Sequence, residues 1–403
     1  MKKKLCRITA LLLAAVLSLG GCGQPGAGKK RTDSTQQTEE TKNKKEDQSK
    51  SDKKGPEIDG LTYESTMDLT YATEFDVYDY KDGYKLLDVH EDRQYLVVPE
   101  GKEAPEGLSE DIVVLQQPLD HIYMAATAIM SLLDAVDAID QVKFSGLNAS
   151  GWYVEDAKKA MESGDMIYAG KYSEPDYETL VNGECDLAVE STMILHTPKV
   201  QEMIEDLDIP VFVDYSSYES HPLGRTEWIK LYGAMLNKED AADAFFEKQV
   251  ENVDALKDFK NTEKTVAFFY VSSDGTVVVR RSDDYIPKMI ELSGGRYVFD
   301  DLTGDDSNTS AVKLTMEEFY AQAADADYLI YNSSIDNPIN SVKDLEEKDA
   351  LFSDFKAVKE GNVWCTGKYL YQATDIVGEL ITDMNLMLTG GDESKMTFLY
   401  HVK

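Results

Sequence analysis

From residue 61 onward, two patterns of apolar residues follow each other along the chain. Short apolar or alternating runs predict strands, and apolar residues spaced three or four positions apart predict the helices between them. The first segments are β-rich, and the pair Asp82-Gly83 predicts a hairpin between two of them. Farther on, the strand "CDLAVES" precedes a helix that Thr197 caps and Pro198 opens, and the strand "IPVFVDY" (209–215) follows. Alternation in this order indicates parallel sheets covered by helices.

A long helical pattern over residues 227–259 separates this first region from a second one, with a predicted break near Asn237. Strands and helices then alternate again, from "TVAFFYVS" to "DIVGELITDMNLML". Two further apolar stretches, 121–139 and 345–361, each predict one continuous helix. No short fixed period repeats along the chain, which excludes solenoids and propellers.

The first 22 residues predict a lipoprotein signal peptide. Four basic side chains precede the run "ITALLLAAVLSLG", which is too short to span a bilayer comfortably and closes on two glycines and Cys22. This ending resembles a bacterial lipobox, whose cysteine is lipidated and becomes the first mature residue. Residues 23–60 predict a disordered tether, because 23–54 contain no aliphatic side chain larger than alanine. We therefore expect a protein lipid-anchored to the extracellular face of the cell membrane.

Charge divides at the end of this tether. The whole chain carries −34, the signal peptide and residues 23–54 are basic by +4 and +3, and residues 55–403 therefore carry about −41. So acidic a surface repels nucleic acid, which excludes that class of partner. Cys185 and Cys365 form no metal signature, and two separate buried thiols are favoured over a disulfide between them. The remaining length indicates two domains.

Motifs of the common enzyme classes are absent: the sequence has no G-x-S-x-G, H-E-x-x-H, P-loop or C-x-x-C. A bare metal site built from both regions is also disfavoured, because the terminal His401 is the only histidine of the second region. The others are His90, His121, His196 and His221. The acidic stretch 300–308 departs from the EF-hand spacing. These observations favour a binding protein over an enzyme and predict no metal site.

Several segments, in their order along the chain, carry a resemblance to a known family: "DYETLVNGECDLAVES", "VQEMIEDLDIPVFVD", "HPLGRTEWIKLYGAMLNKEDAADAFF", "YIPKMIELSGG" and "LFSDFKAVKEGNVW". Over about residues 65–390 the chain resembles the substrate-binding lipoproteins of ABC importers for ferric siderophores, heme and vitamin B12. The resemblance implies an α/β fold of two Rossmann-like lobes joined by a long interlobe helix, with the ligand cleft between the lobes. The expected parts are an N-terminal lobe (61–228), an interlobe helical segment (229–260) and a C-terminal lobe (261–403).

The same resemblance implies the function. We expect a monomeric binding protein without enzymatic activity and without an intrinsic cofactor. It captures a metal chelate and delivers it to an ABC permease and its ATPase. A ferric siderophore is the first expectation for the ligand, and heme or a corrinoid such as cobalamin stays open. The alternatives are a surface receptor of the same fold without transport and a receptor for bare metal ions. A lipid-anchored hydrolase is a third reading, which the missing motifs disfavour.

Candidate site residues are those at strand ends and in the loops after them, where open α/β sheets place ligands. Aromatic rings suit a planar chelate and arginines an anionic one. The predicted ligand-binding residues are Trp152, Tyr153, Tyr172, Ser191, His221, Arg225, Arg280, Arg281 and Tyr371.

Three of these assignments are open in the sequence. Arg280 and Arg281 are neighbours on a strand and point to opposite faces, so at most one of them faces the cleft. Arg225 either faces the ligand or pairs locally with Glu219 or Glu227. The resemblance also implies one acid on each lobe that docks onto arginines of the permease: Glu219 or Glu202 in lobe one, and an acid of "LEEKD" in lobe two.

Overall fold

The structure is a computed structural model that describes residues 54–90, 92–303 and 310–403. The predicted signal peptide, the lipidation site Cys22 and the tether up to residue 53 lie outside the described residues. Most of the acidic stretch 300–308 also lies outside them. We call the chain up to residue 221 lobe one and residues 261–403 lobe two.

A first sheet opens lobe one, with five strands in sequential order that are antiparallel except for the last pair. The predicted hairpin at Asp82-Gly83 is confirmed: both residues adopt positive φ, 64° and 85°, which this turn requires and which Asp and Gly tolerate. The strands are β1 (Tyr63–Thr66), β2 (Phe75–Tyr80), β3 (Lys85–Val89), β4 (Gln94–Val98) and β5 (Ile112–Gln116).

The second sheet of lobe one is parallel, in the order β12-β11-β6-β7-β8. Its strands are β6 (Ile122–Met124), β7 (Val142–Ser145), β8 (Ile167–Tyr168), β11 (Leu187–Ser191) and β12 (Val211–Asp214). The short strands β9 (Gly170–Lys171) and β10 (Glu174–Pro175) form a separate ribbon. The helices of this part are α1 (Met130–Ala135), α2 (Glu155–Ser163), α3 (Tyr177–Asn182) and α4 (Pro198–Glu205).

The predicted continuous helix over 121–139 is wrong. Its first part is the central strand β6, all of whose residues are buried, and the helix α1 begins only at Met130. A central parallel strand is apolar on both faces, so a short buried strand and a buried helical turn have the same pattern in sequence.

Two helices, α5 (Pro222–Leu236) and α6 (Glu239–Asp254), connect the lobes. The predicted break is confirmed, since Asn237 ends α5 in the left-handed conformation with φ 57°. Helix α5 begins at Pro222, earlier than the predicted boundary at 228, and almost all of its residues are buried. It packs against α1 of lobe one and against α6, so the link between the lobes is part of the core rather than a free hinge.

The sheet of lobe two runs in the order β16-β14-β13-β17-β18-β19, parallel at its centre and antiparallel at both edges, with β15 beside β13. The strands are β13 (Thr265–Val271), β14 (Val277–Arg280), β15 (Arg296–Tyr297), β16 (Ala311–Leu314), β17 (Tyr328–Tyr331), β18 (Val363–Thr366) and β19 (Leu399–His401). The helices are α7 (Tyr285–Leu292), α8 (Met316–Ala323), α9 (Val342–Glu346), α10 (Lys356–Glu360) and α11 (Val377–Thr389).

The second predicted continuous helix, 345–361, is also wrong, because α9, a 3-10 turn (Ala350–Asp354) and α10 replace it. Asp349 caps the 3-10 turn, and Phe355 leaves the helical conformation with ψ 140°. These interruptions let Phe352 and Phe355 both turn into the core against Phe319.

The described chain is thus the two-lobed α/β fold that the sequence predicts, with parallel strands at the centre of each lobe. Cys185 and Cys365 are both buried and free, as expected. Among the described residues, no helix has the length and apolar character needed to cross a membrane.

Candidate ligand-binding cleft

A cavity of about 340 Å³ lies between the two lobes. Lobe one contributes residues that follow the carboxyl ends of β6, β11 and β12, where parallel sheets place ligands. Lobe two contributes the end of β14, the first turns of α7 and the segment before α11. Of the predicted residues, Ser191, Arg225, Arg280 and Tyr371 line this cavity.

Arg225 reaches from α5 to lobe two. Its guanidinium carbon lies 4.0 Å from the ring centroid of Tyr285 on α7, a cation–π contact between the interlobe helix and lobe two. Within the described ranges, Arg225 forms no salt bridge, and the predicted local pairing with Glu219 or Glu227 is wrong because both carboxylates bind backbone N–H groups instead. The guanidinium therefore lines the cavity with hydrogen-bond donors to spare.

Arg280 and Arg281 separate as strand geometry requires. Arg280, the last residue of β14, lines the cavity; its Nη1 donates to Ser310 Oγ at 2.8 Å and lies 3.8 Å from Asp284 Oδ2. Arg281 pairs with Asp283 through Nε and Nη2 at 3.0 and 2.9 Å and does not line the cavity. The structure thus brings Arg280, not Arg281, to the cleft.

Two buried carboxyl groups stand near these guanidinium groups. Asp214, at the end of β12, accepts hydrogen bonds from Ser216 and from the Tyr232 hydroxyl, and burial raises its pKa to about 6. Burial also raises the pKa of Asp284, although Arg280 opposes that shift. Burial thus favours the protonated, neutral form of both carboxyl groups more than water would, while the guanidinium groups oppose this effect.

Two other predicted residues, Tyr153 and Tyr172, do not line this cavity. Tyr153 is 40% exposed beside a smaller recess of about 270 Å³, which Tyr371, itself 38% exposed, also lines. The Tyr153 ring centroid lies 6.3 Å from that of Tyr369, so aromatic rings of the two lobes meet here. Tyr172 lies in the turn between β9 and β10 and does not line the cavity.

Neither Trp152 nor His221 lines this cavity, although His221 lines a second cavity of about 550 Å³ together with residues of lobe two. Trp152 is 2% exposed, and its Nε1 donates to Ser145 Oγ at 2.9 Å inside lobe one. His221 caps α5, because its Nδ1 accepts the Leu223 N–H, and its ring stacks on Tyr71 at 4.6 Å. Burial lowers the pKa of His221 to about 4, so the ring is neutral near pH 7.

The two candidate docking acids differ in their exposure to solvent. Glu219 is 2% exposed and accepts the N–H groups of Thr73 and Glu74 and the Nε1–H of Trp228, so the prediction that it docks onto a permease is wrong. Glu202 is exposed on α4, where a partner can reach it.

Sequence reasoning found Tyr371 in the segment before α11 but missed Asp214 and Gln372. Asp214 ends the strand "IPVFVDY", and the strand-end rule that selected Ser191 identifies it equally well. Gln372, in that segment, gave no signal, because its partners are backbone atoms more than 200 residues away.

One group of side chains has the composition of a metal site. Asp120, His121 and Asp186 offer ligand atoms within 4.8 Å of one another, where β6 and β11 begin, at the opposite edge of the sheet from the cleft. The group is already hydrogen-bonded internally: Asp186 Oδ2 accepts the N–H groups of Asp120 and His121, and His121 Nδ1 lies 2.8 Å from Asp120 Oδ1. The other oxygen of this carboxyl group, Asp186 Oδ1, is buried and accepts no hydrogen bond from the described residues.

Comparison with known proteins gives concordant matches. The family model described as periplasmic binding protein matches residues 125–370. An uncharacterized lipoprotein of Methanocaldococcus jannaschii is 29% identical over 296 residues, which are 70% of this chain and 67% of the relative.

Solved structures agree on the fold. A periplasmic binding protein from Veillonella parvula is 17% identical with a TM-score of 0.56, over 81% of this chain and 98% of that one. The periplasmic heme binding protein HutB of Vibrio cholerae is 17% identical with a TM-score of 0.53, over 65% of this chain and 97% of that one. At these identities the likeness establishes the architecture.

Proposed function

Because this chain belongs to the periplasmic binding protein family, we propose that it is a substrate-binding protein that captures an anionic metal chelate for an ABC importer. A ferric siderophore is the first candidate ligand, ahead of heme and cobalamin. Cys22 carries the lipid that holds the protein at the extracellular face of the membrane, and the permease with its ATPase receives the chelate. The protein acts as a monomer and performs no chemistry on its cargo.

The observation that carries the proposal is the pair of guanidinium groups in the cavity. Arg225 comes from the interlobe helix α5 and Arg280 from lobe two, and both line the same space. Guanidinium groups bind the paired oxygens of carboxylates and similar anions in bidentate fashion. A ligand with anionic oxygens on two sides contacts both arginines at once.

The remaining lining fits the organic part of such a ligand. Apolar side chains from both lobes line the cavity, and the volume of about 340 Å³ lies within the range of about 300–1,000 Å³ typical of ligand sites. These side chains are Ile129, Met289, Leu370, Val377, Leu380 and Phe398. Serines 191, 216 and 217 line the cavity without a histidine or cysteine among the lining residues, which supports binding rather than nucleophilic catalysis.

The adjacent arginines provide a matched test. The full chain is titrated with ferric catecholate, ferric hydroxamate, hemin and cyanocobalamin while tryptophan fluorescence is followed. We expect one chelate to bind, Arg280→Ala to weaken it about 10- to 100-fold, and Arg281→Ala to change it less than about 2-fold. Binding of a free divalent ion with no binding of any chelate would contradict the proposal.

Delivery is tested separately from capture. Glu202 is the acid that we propose for docking on the lobe-one side, since it is exposed on α4. Glu202→Arg is expected to lower uptake of the chelate in cells while its affinity in solution stays unchanged. Unchanged uptake would remove Glu202 from the interface, and capture without any uptake would favour a receptor without transport.

A further inference from the structure

The segment 368–376, which we call the strap, leaves β18 of lobe two and crosses to lobe one before α11 begins. It contains a 3-10 turn (Lys368–Gln372). Five of its residues line the cavity between the lobes: Leu370, Tyr371, Ala373, Thr374 and Ile376. The strap is therefore one wall of the cleft and also a bridge between the lobes.

Gln372 makes the central contact of this bridge. Its side chain is 2% exposed; Oε1 accepts the Tyr153 N–H and Nε2 donates to the Gly151 carbonyl, each at 2.8 Å. Nε2 also contacts the Tyr371 hydroxyl at 2.9 Å. The Gln372 amide thus binds a backbone donor and a backbone acceptor of lobe one, as a neighbouring strand does. The two hydrogen bonds fix the distance between the strap and lobe one and also their relative orientation.

A neighbouring position adds a second tie. The Thr226 hydroxyl on α5 donates to the Thr374 carbonyl at 2.8 Å, and this contact is buried. Gln372 and Thr374 thus hold the strap to the loop after β7 and to the interlobe helix, while Tyr371 and Ala373 line the cavity.

We propose that Gln372 is a positioning residue whose amide sets the spacing between the lobes and so limits the cleft to ligands that fit beneath the strap. The inference rests on the proposed function only in that the cleft receives a ligand. Without the amide, the lobes separate on this side, so a ligand enters and leaves faster and the limit on its size is relaxed.

Spacing between the lobes is measured without any ligand. Spin labels are placed on the full chain at Glu202→Cys in lobe one and Lys343→Cys in lobe two, both at exposed positions. Cys6 and Cys22 are replaced by serine, and Cys185 and Cys365 are buried, so the engineered thiols react preferentially. The distance distribution between the labels is recorded by pulsed electron paramagnetic resonance.

The unmodified strap is expected to give one narrow distance distribution. Gln372→Ala removes both buried hydrogen bonds to lobe one and is expected to raise the ratio of open to closed molecules about tenfold. Gln372→Glu keeps an acceptor for the Tyr153 N–H, but its ionised carboxylate repels the Gly151 carbonyl. Because the carboxyl group is more ionised at pH 8 than at pH 5, we expect the lobes of this variant to be farther apart at pH 8. Gln322→Ala, on the exposed face of α8, is the control and leaves the distances unchanged.

A folded Gln372→Ala protein with the distance distribution of the parent would overturn the inference. If that variant does not fold, Gln372→Glu decides, and identical distributions at the two pH values overturn it. Kinetics with the chelate that binds give a second readout: association and dissociation both accelerate in Gln372→Ala. Opening in the distance measurement without binding of any chelate leaves this inference standing and rejects the proposed function instead.

Discussion

Two kinds of charge lie side by side in the stretch 217–230. The Glu219 and Glu227 carboxylates are buried, and together they accept five consecutive backbone N–H groups, those of residues 70–74. Arg225 lies between them in sequence, yet within the described chain it has no carboxylate at salt-bridge distance and lines the cavity. The sequence gives no sign that these three neighbouring charged side chains have different roles. Their surroundings in the structure show the difference.

The number of hydrogen bonds that a charged side chain already makes within the protein indicates its role. A carboxylate saturated by N–H donors has no capacity left for a ligand and stabilises the chain that supplies the donors. Gly224 belongs to the same arrangement, because a Cβ there would lie 2.9 Å from the Tyr71 carbonyl. An unsaturated guanidinium stabilises little by itself and keeps its donors for an anion.

The largest expected effect is on the saturated carboxylate. Glu227→Ala leaves the N–H groups of Thr70, Tyr71 and Ala72 without their acceptor, and we expect the free energy of unfolding to fall by about 3–5 kcal/mol. Urea unfolding of the full chain measures it. Glu202→Ala on the surface is the control and should stay within about 0.5 kcal/mol of the parent. A loss below about 1 kcal/mol for Glu227→Ala would show that water replaces the carboxylate.

The opposite pattern is expected at Arg225. Arg225→Ala should weaken binding of the chelate about 10- to 100-fold, because the ligand loses one of its two guanidinium partners. The free energy of unfolding should fall by only about 0.5–2 kcal/mol, for the lost cation–π contact with Tyr285. Arg225→Lys keeps the charge but loses the planar fork, and we expect an intermediate affinity. Titration of the two variants side by side checks this. Unaltered affinity in Arg225→Ala would show that Arg225 serves the fold and does not bind the ligand.

A third kind of charge is Asp375, which is half-buried in the strap. Burial raises its pKa to about 7, and the nearby acids Glu379 and Asp134 raise it further. Between its ordinary pKa of 3.8 and about 7, the folded state binds more protons than the unfolded state, so the stability contribution of this group falls as pH rises through that window.

Thermal unfolding of the parent and of Asp375→Asn between pH 5 and pH 8 tests this sign. We expect the parent to lose about 1–4 kcal/mol relative to the variant as pH rises, with little further change above the folded pKa. A parent that gains stability relative to the variant would mean that Asp375 is ionised and well paired in the folded state.

The smallest effect is expected at His221. His221→Ala removes the acceptor for the Leu223 N–H at the start of α5 and should cost about 0.5–2 kcal/mol, whereas His221→Asn retains a cap. Ligand affinity should change less than about 2-fold in both variants. A larger loss of affinity with normal stability would return His221 to the ligand site.

The sequence predicts much of the architecture because its signals are local. Hydrophobic alternation locates both lobes, and the end of α5 at Asn237 and the hairpin at Asp82-Gly83 follow from residues adjacent in the chain. The strand-end rule finds Ser191 and Arg280 for the same reason.

What the sequence could not predict depends on distant partners. Glu219 resembles a surface acid until Thr73, 146 residues away, supplies the N–H group that it accepts. Trp152 and Tyr153 follow the same glycine, but Trp152 packs into the core and bonds to the Ser145 hydroxyl, whereas Tyr153 stays exposed. The helix predicted over 121–139 failed because a buried strand carries no amphipathic pattern to distinguish it.

The five N–H groups of residues 70–74 also determine how a mechanical load on the N-terminal side spreads through the protein. They fasten the chain between β1 and β2 to Glu227 on α5 and to Glu219 just before that helix, which joins the lobes and carries Arg225. A pull on β1 therefore reaches α5 directly, as well as through the rest of lobe one.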